Sequence, residues 1–260
     1  MGFLFLSCTV SKILKNTLEN IFGDKTIGSI YDERGIGLCI NSVNIANHGP
    51  RVFKTSHIPE KHADNNRKIV DVCLATSAAP IIFPIASIPD PEDEMIKECF
   101  VDGGLWANNP ILVALIEALE MSEPKQPIEI ISIGTCPPPG GEAILERNVE
   151  KGLFYWKVGI NALELSMDAQ ASGYNFMAGF IADSFTKLGK KVRIYRLKQS
   201  PPSVEHSNYL SLDNASEKAC STLMQLGIQD GKEIYGKIIR TNSEMSALLK
   251  NIFENLPKIN

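Results

Sequence analysis

Ile128-Glu129-Ile130-Ile131-Ser132-Ile133 is an apolar run with no period-two alternation, the pattern of a strand covered on both faces. Such a strand needs helices above and below it, which narrows the chain to a layered architecture. The neighbouring segments supply them. Ser11 can cap a helix through Phe22, with Leu14, Leu18, Ile21 and Phe22 on one face and Gly23 at its end. Ile36, Leu38 and Ile40 alternate as a half-buried strand, and Val52-Phe53 extends that sheet after a His48-Gly49-Pro50 turn. Ile69, Val70, Cys73 and Leu74 read as a short helix after a charged loop near 60–67. Asn109, followed by Pro110, can cap a helix whose apolar residues from Ile111 to Leu119 cover most of its circumference. A long helical region spans about 145–188, with breaks expected near Gly159 and Gly173. Val192 to Leu197 is a strand, and Asp213 can cap a last long helix. Strands alternate with helices, so the expected class is α/β with a largely parallel sheet. One domain over 1–260 is expected, with 1–10 a divergent start and 242–260 a terminal helix or tail.

Bulk properties exclude several functions. The chain has 260 residues, 44% hydrophobic and 22% charged, with net charge −4 and scattered Lys and Arg. That balance suits a globular core and offers no nucleic-acid footprint. No run is long enough for a membrane span, and the apolar start lacks the basic segment of a signal peptide. Leu6 stands where a myristoylation pattern needs Ser or Thr. The six cysteines form no CxxC motif and read as buried free thiols of a reducing, cytoplasmic compartment. The Pro89–Lys97 stretch, with Glu92, Asp93 and Glu94, reads as a solvated acidic excursion rather than a metal site.

The stretch richest in chemistry is Cys99-Phe100-Val101-Asp102-Gly103-Gly104-Leu105-Trp106-Ala107-Asn108-Asn109-Pro110. An apolar strand ends in an acid, a Gly-Gly turn follows, and a helix starts at Asn-Pro. This places one carboxylate at the rim of a sheet. Gly103 and Gly104 suit positive φ and close backbone approach. Two further segments flank it in order: Ala75-Thr76-Ser77-Ala78-Ala79-Pro80-Ile81-Ile82-Phe83-Pro84, and Ile131-Ser132-Ile133-Gly134-Thr135.

Together these three segments closely resemble the patatin-like phospholipase family, over roughly Ser11 to Arg240. Phe22-Gly23-Asp24 and Leu212-Asp213-Asn214-Ala215 are also similar to its soluble branch. The resemblance implies a three-layer fold and lipid acyl hydrolysis by a Ser-Asp dyad. In it, Asp102 of the Asp102-Gly103-Gly104 motif is the base. The implied substrate is a phospholipid or other acyl lipid, with transient membrane-surface contact and no nucleic acid, metal or cofactor.

One departure is large. The family opens with a Gly-rich oxyanion loop and a G-x-S-x-G nucleophile elbow, and the chain has neither. By resemblance it corresponds to the C-terminal two-thirds of the family domain, lacking the first strand and the nucleophile strand-helix. The segment that would complete it is expected to be separately encoded upstream, hidden by a mis-called start, or removed by truncation. Ser77 is a tempting substitute nucleophile but has no elbow and no assigned base, and Ser132 lies in a buried strand. Trp106, Phe154, Tyr155 and Trp156 suit either a core or an acyl pocket. The four histidines, at 48, 57, 62 and 206, sit in polar segments, which permits a dyad without His. Two other readings stand beside the hydrolase: a non-catalytic descendant that binds lipid or protein, and a truncated product with an uncovered apolar face.

Overall fold

A computed structural model describes residues 2–58, 64–80, 82–136, 152, 160–207, 209–210, 214–241 and 243–255. The chain divides into two compact units, 1–128 with 151–192 and 129–150 with 193–260.

In the first unit, α1 (Gly2–Phe22) and α2 (Ile27–Arg34) precede a sheet built from β1 (Cys39–Asn44), β2 (Gly49–Lys54), β3 (Ala86–Pro89) and β4 (Lys97–Asp102). Helix α3 (Ile69–Thr76) lies between β2 and β3 in sequence, and α4 (Gly104–Ala107), α5 (Ile111–Met121) and α6 (Ile160–Lys187) follow β4. The strand order is β2-β1-β4-β3, and every pairing is antiparallel. The α/β class holds, but this sheet is not the largely parallel one expected. The reason is local. Asn44 pairs with Gly49 across a tight turn in which His48 takes φ 51°, and Pro89 pairs with Lys97 across the acidic loop. Such short connections return the chain antiparallel, whereas a parallel pair needs a crossover of about a dozen residues.

Parallel pairing occurs in the two-stranded sheet of β5 (Ile128–Ser132) and β6 (Val192–Arg196). Ile128 N–H donates to the Lys191 carbonyl and Leu197 N–H to that of Ser132, both at 2.9 Å, and this constant offset makes the strands parallel. The apolar run is covered less than expected: Glu129 is exposed, and Ile133 is 74% exposed. Among the described residues it has one strand neighbour.

Several boundaries also move. Helix α1 starts at Gly2 rather than Ser11, and Ile21 lies outside its half-buried face. Strand β1 starts at Cys39, not Ile36, and Ile36 is exposed. Helix α5 exposes Ile116 and Met121 and buries Ile111, Val113, Leu115 and Glu117, so it is not covered all round. Helix α6 runs unbroken through Gly173, since one interior glycine costs only about 1 kcal/mol. Gly159 and Asp213 lie outside the described residues. In the second unit, where α7 (Val204–Ser207) and α9 (Glu244–Asn255) also lie, α8 (Glu217–Arg240) is capped by Ser216, whose side chain accepts Ala219 N–H. Cys39, Cys73, Cys99 and Cys136 are half-buried rather than fully buried, and Cys220 is exposed.

Ile27, Phe53, Val72, Ala75, Ile88 and Phe100 form the core between α3 and the sheet. The Phe53 and Phe100 rings meet edge-on at 5.2 Å, a favoured aromatic geometry. The guanidinium groups of Arg51 and Arg67 lie against the Phe53 ring, and Asp64 and Glu98 pair with Arg67. This core seats the C-terminal end of α3 beside the end of β4.

Helix α2 begins with a reciprocal cap. Thr26 Oγ1 accepts Ser29 N–H at 3.2 Å, and Ser29 Oγ accepts Thr26 N–H at 3.1 Å. Thr26→Ala removes the cap acceptor and should cost about 1 kcal/mol. Thermal melting should show a drop of roughly 2–4 °C; an unchanged midpoint would mean that Ile27 and Gly28, both buried, hold the helix without the cap.

Candidate functional site

Asp102 ends β4, and backbone hydrogen bonds set its position. Its N–H donates to the Ala78 carbonyl at 3.0 Å, and Gly103 N–H donates to that of Thr76 at 3.3 Å. The segment after α3 is thus stitched to the strand end. Thr76 Oγ1 in turn donates to the Asn41 carbonyl at 2.6 Å, joining that segment to β1. On the other side, β1 pairs Ser42 with Asp102. Ser42 is fully buried, and its hydroxyl lies within donating reach of the Ala75 and Val101 carbonyls. Trp106 is not merely core: its Nε1–H donates to the Ser42 carbonyl at 2.8 Å. Side-chain bonds from three elements therefore hold the turn.

The two glycines act through space, not handedness. Gly103 has φ −67°, and neither it nor Gly104 is among the positive-φ glycines, so the expected left-handed conformation is absent. Close approach is what Gly103 provides. A Cβ there would lie 2.1 Å from the Asn41 carbonyl oxygen. Gly104 N–H donates to Asp102 Oδ1 at 2.6 Å, a short charge-assisted bond. Among the described residues, Oδ2 has no hydrogen-bond partner.

Asp102 is half-buried, and burial pushes its pKa above the ordinary 3.8, with the Gly104 N–H pulling the other way. A raised native pKa means that the folded state holds more protons than the unfolded chain between 3.8 and the raised value. Stability therefore falls as pH rises through that window. Asp102→Asn should melt higher than wild type at neutral pH, and the gap should close below the ordinary carboxylate value. A lower neutral midpoint, or a gap that widens in acid, would contradict this.

The other candidates separate clearly. Asn109 is buried; its Oδ1 accepts Ile111 N–H at 3.3 Å, and its Nδ2 donates to the Ala171 carbonyl and to Asn175 on α6. It braces the turn, with Pro110 rather than Asn109 in the cap position of α5. Asn108 is exposed. Ser77 Oγ donates to the Cys73 carbonyl at 2.7 Å, an intrahelical bond, and no described hydrogen bond links it to Asp102. Ser132 Oγ accepts from Arg196 in the second unit. The acidic loop is an exposed turn in which Asp90 Oδ1 accepts the N–H groups of Glu92 and Asp93. Phe154, Tyr155, Trp156 and His62 lie outside the described residues.

A cavity of about 630 Å³ opens beside α1 and α3, lined by Leu14, Leu74, Ser77, Ala78, Phe83 and Ile85 among others. Ala78, whose carbonyl receives Asp102 N–H, connects it to the site, but Asp102 does not line it. No helix of the described residues is long and apolar enough to cross a membrane.

His57 lies in the turn after β2 among polar partners, as expected, but its side chain is not open to solvent. Its side chain is 3% exposed and bonded to Thr55 and Glu117. Sequence inspection passes over this cluster because its members are far apart, and no spacing motif marks them.

The chain is similar to a known family and to several known proteins. The family described as Patatin-like phospholipase matches residues 11–115, a span that ends beyond Asp102 and within α5. A cGAMP-activated phospholipase of Vibrio cholerae serotype O1 is 30% identical over 237 residues, covering 87% of this chain and 62% of the relative. A cGAMP-activated phospholipase of Pseudomonas aeruginosa is 32% identical over 179 residues, covering 68% of this chain and 50% of the relative. Patatin-like protein 3 of Arabidopsis thaliana is 30% identical over 138 residues, covering 48% and 31%. The chain thus spans less than two-thirds of the length of these relatives.

Proposed function

This chain belongs to the patatin-like phospholipase family, and from that premise we propose that Asp102 is the general base of a Ser-Asp acyl-hydrolase centre acting on phospholipid or other acyl-lipid esters. The observation that carries the reading is the strand-end carboxylate itself. Asp102 is half-buried, one oxygen is held by Gly104 N–H, and the other has no partner among the described residues. A carboxylate in that state can take a proton directly, with no histidine between it and the hydroxyl.

The chemistry would run in two steps. A serine hydroxyl attacks the ester carbonyl while its proton passes to Asp102. The C–O bond to the alcohol then breaks, and protonated Asp102 returns the proton to the departing alkoxide. Water next attacks the acyl-serine with the same base, releasing the fatty acid. No metal or cofactor enters these steps. The serine is not Ser77 or Ser132, whose hydroxyls are engaged elsewhere. The 260 residues contain no G-x-S-x-G. The nucleophile in this reading belongs to an elbow-bearing segment outside them, and residues 1–260 supply the later part of one family domain. Free thiols suit a reducing cytoplasm.

The missing elbow also favours a second reading, a lipid- or protein-binding descendant with no covalent intermediate. A fluorophosphonate probe separates the two when paired with a short acyl ester assay. The chain joined to a family segment carrying G-x-S-x-G should label once and turn over ester, while the chain alone should do neither. A joined protein that folds yet neither labels nor hydrolyses would favour the binding reading. Labelling of the chain alone would overturn the assignment of the nucleophile. Two relatives are named for activation by cGAMP, which makes that nucleotide the first effector to include.

A further inference from the structure

We propose that Cys39, His57 and Glu117 form a zinc site, with three protein ligands and one open position, that fastens the β1–β2 hairpin to α5. One ligand comes from the start of β1, one from the segment leaving β2, and one from the buried side of α5. Their ligand atoms lie within 4.8 Å of one another.

The geometry points at a single ion. Glu117 Oε2 and Cys39 Sγ both approach the same imidazole nitrogen, Nε2, at 3.1 and 3.9 Å. A Cys-His-acid catalytic triad would use the two different ring nitrogens. A tetrahedral zinc with ordinary bond lengths has edges of roughly 3.3 Å between N and O and roughly 3.6 Å between N and S. The third edge, between Sγ and Oε2, lies within 4.8 Å against roughly 3.6 Å in a tetrahedral site, so the three side chains would close in by up to about 1 Å around one ion.

The surrounding contacts are those that orient metal ligands. His57 Nδ1 meets Thr55 Oγ1 at 2.7 Å. Thr55 is 1% exposed, and its Oγ1 also accepts Leu38 N–H at 2.8 Å, so the ring is braced from behind. Lys54 holds Glu117 Oε1, which leaves Oε2 for the ion. Gly37 makes room for the ring: a Cβ there would lie 2.9 Å from His57 Cγ. The side chains of His57 and Glu117 are 3% and 8% exposed.

Thiolate, imidazole and carboxylate together suit zinc and cobalt, and the sulfur disfavours magnesium and calcium. Binding forms a Zn–S bond and releases the Cys39 thiol proton to solvent, with no change of oxidation state. That proton is held firmly, because burial and the nearby Glu117 push the thiol up to about 11. The fourth position would take water.

The test uses the full chain stripped with a chelator. Zinc is titrated against a chromophoric competitor, and cobalt is added separately while absorbance is recorded. One equivalent of zinc should bind per chain, and cobalt should produce a sulfur-to-metal charge-transfer band. Cys39→Ser should remove the band and weaken zinc binding about tenfold or more, as should His57→Gln for the affinity. Replacing the exposed Cys220 with Ser should do neither. Zinc should raise the thermal midpoint of wild type but not of Cys39→Ser. No stoichiometric binding, no cobalt band in the unmutated protein, or equal zinc affinity in Cys39→Ser would overturn the site. The cobalt band needs no variant, so misfolding of a mutant cannot obscure it.

Discussion

Gly103→Ala should lower stability by about 3 kcal/mol or more, beyond the usual cost of overpacking. The new Cβ would sit 2.1 Å from the Asn41 carbonyl oxygen and 2.4 Å from its carbon. Both are backbone atoms, so no rotamer change relieves the collision. Either β1 or the β4 turn must move. Both are tied down: Thr76 Oγ1 holds the same Asn41 carbonyl, and Gly103 N–H holds that of Thr76. The φ of −67° is comfortable for alanine, so the whole penalty is spatial. At roughly 2–4 °C per kcal/mol, the thermal midpoint should fall by about 6–12 °C. Two neighbouring experiments calibrate it. Gly104→Ala meets Asp102 Oδ1 at 3.0 Å and the flexible end of Met167 at 3.1 Å, so it should cost less. Gly173→Ala, in mid-helix with nothing within 4 Å, should stabilise by about 1 kcal/mol. A Gly103→Ala midpoint equal to wild type would show that the strand end yields easily, and would weaken the case for a rigidly aimed carboxylate.

In the chain joined to a nucleophile-bearing segment, Asp102→Asn should reduce ester hydrolysis by about 100- to 10,000-fold. Asparagine keeps the size and can still accept Gly104 N–H, so the turn should persist. What disappears is the ability to take a proton. Asp102 works as a base only when ionised, and burial raises its pKa above 3.8. The acid limb of kcat/KM should therefore lie above the ordinary carboxylate range, with activity falling as pH drops through it. Because the same substitution is expected to raise the neutral melting midpoint, lost activity with gained stability would separate a catalytic role from a structural one. Activity within a few-fold of wild type would remove Asp102 from the mechanism.

Legibility followed distance along the chain. The strand Phe100-Val101, the acid after it and the small residues behind it are adjacent in sequence, and they were readable as one device. The helix at Ile69–Thr76 and the strand at Val192–Arg196 were readable for the same reason, since periodicity and end signals are local. The direction of strand pairing was not. Alternating elements suggested crossovers, but the Ile45–His48 turn and the loop before Lys97 fold back too soon for them. Trp106 suited either a core or an acyl pocket, because composition cannot reveal that its ring nitrogen finds the Ser42 carbonyl.

By itself, then, the sequence determined where a carboxylate would stand at a strand end and which family motifs surround it, because those depend on residues within a dozen positions. Only the tertiary structure decided why Gly103 must lack a side chain, since the obstacle is a carbonyl on another strand. Likewise, only the fold brings Cys39, His57 and Glu117 together, from positions separated by 18 and 60 residues. Burial, close approach and convergence are properties of packed neighbours, and they come into being when the β1–β2 hairpin, β4 and α5 meet.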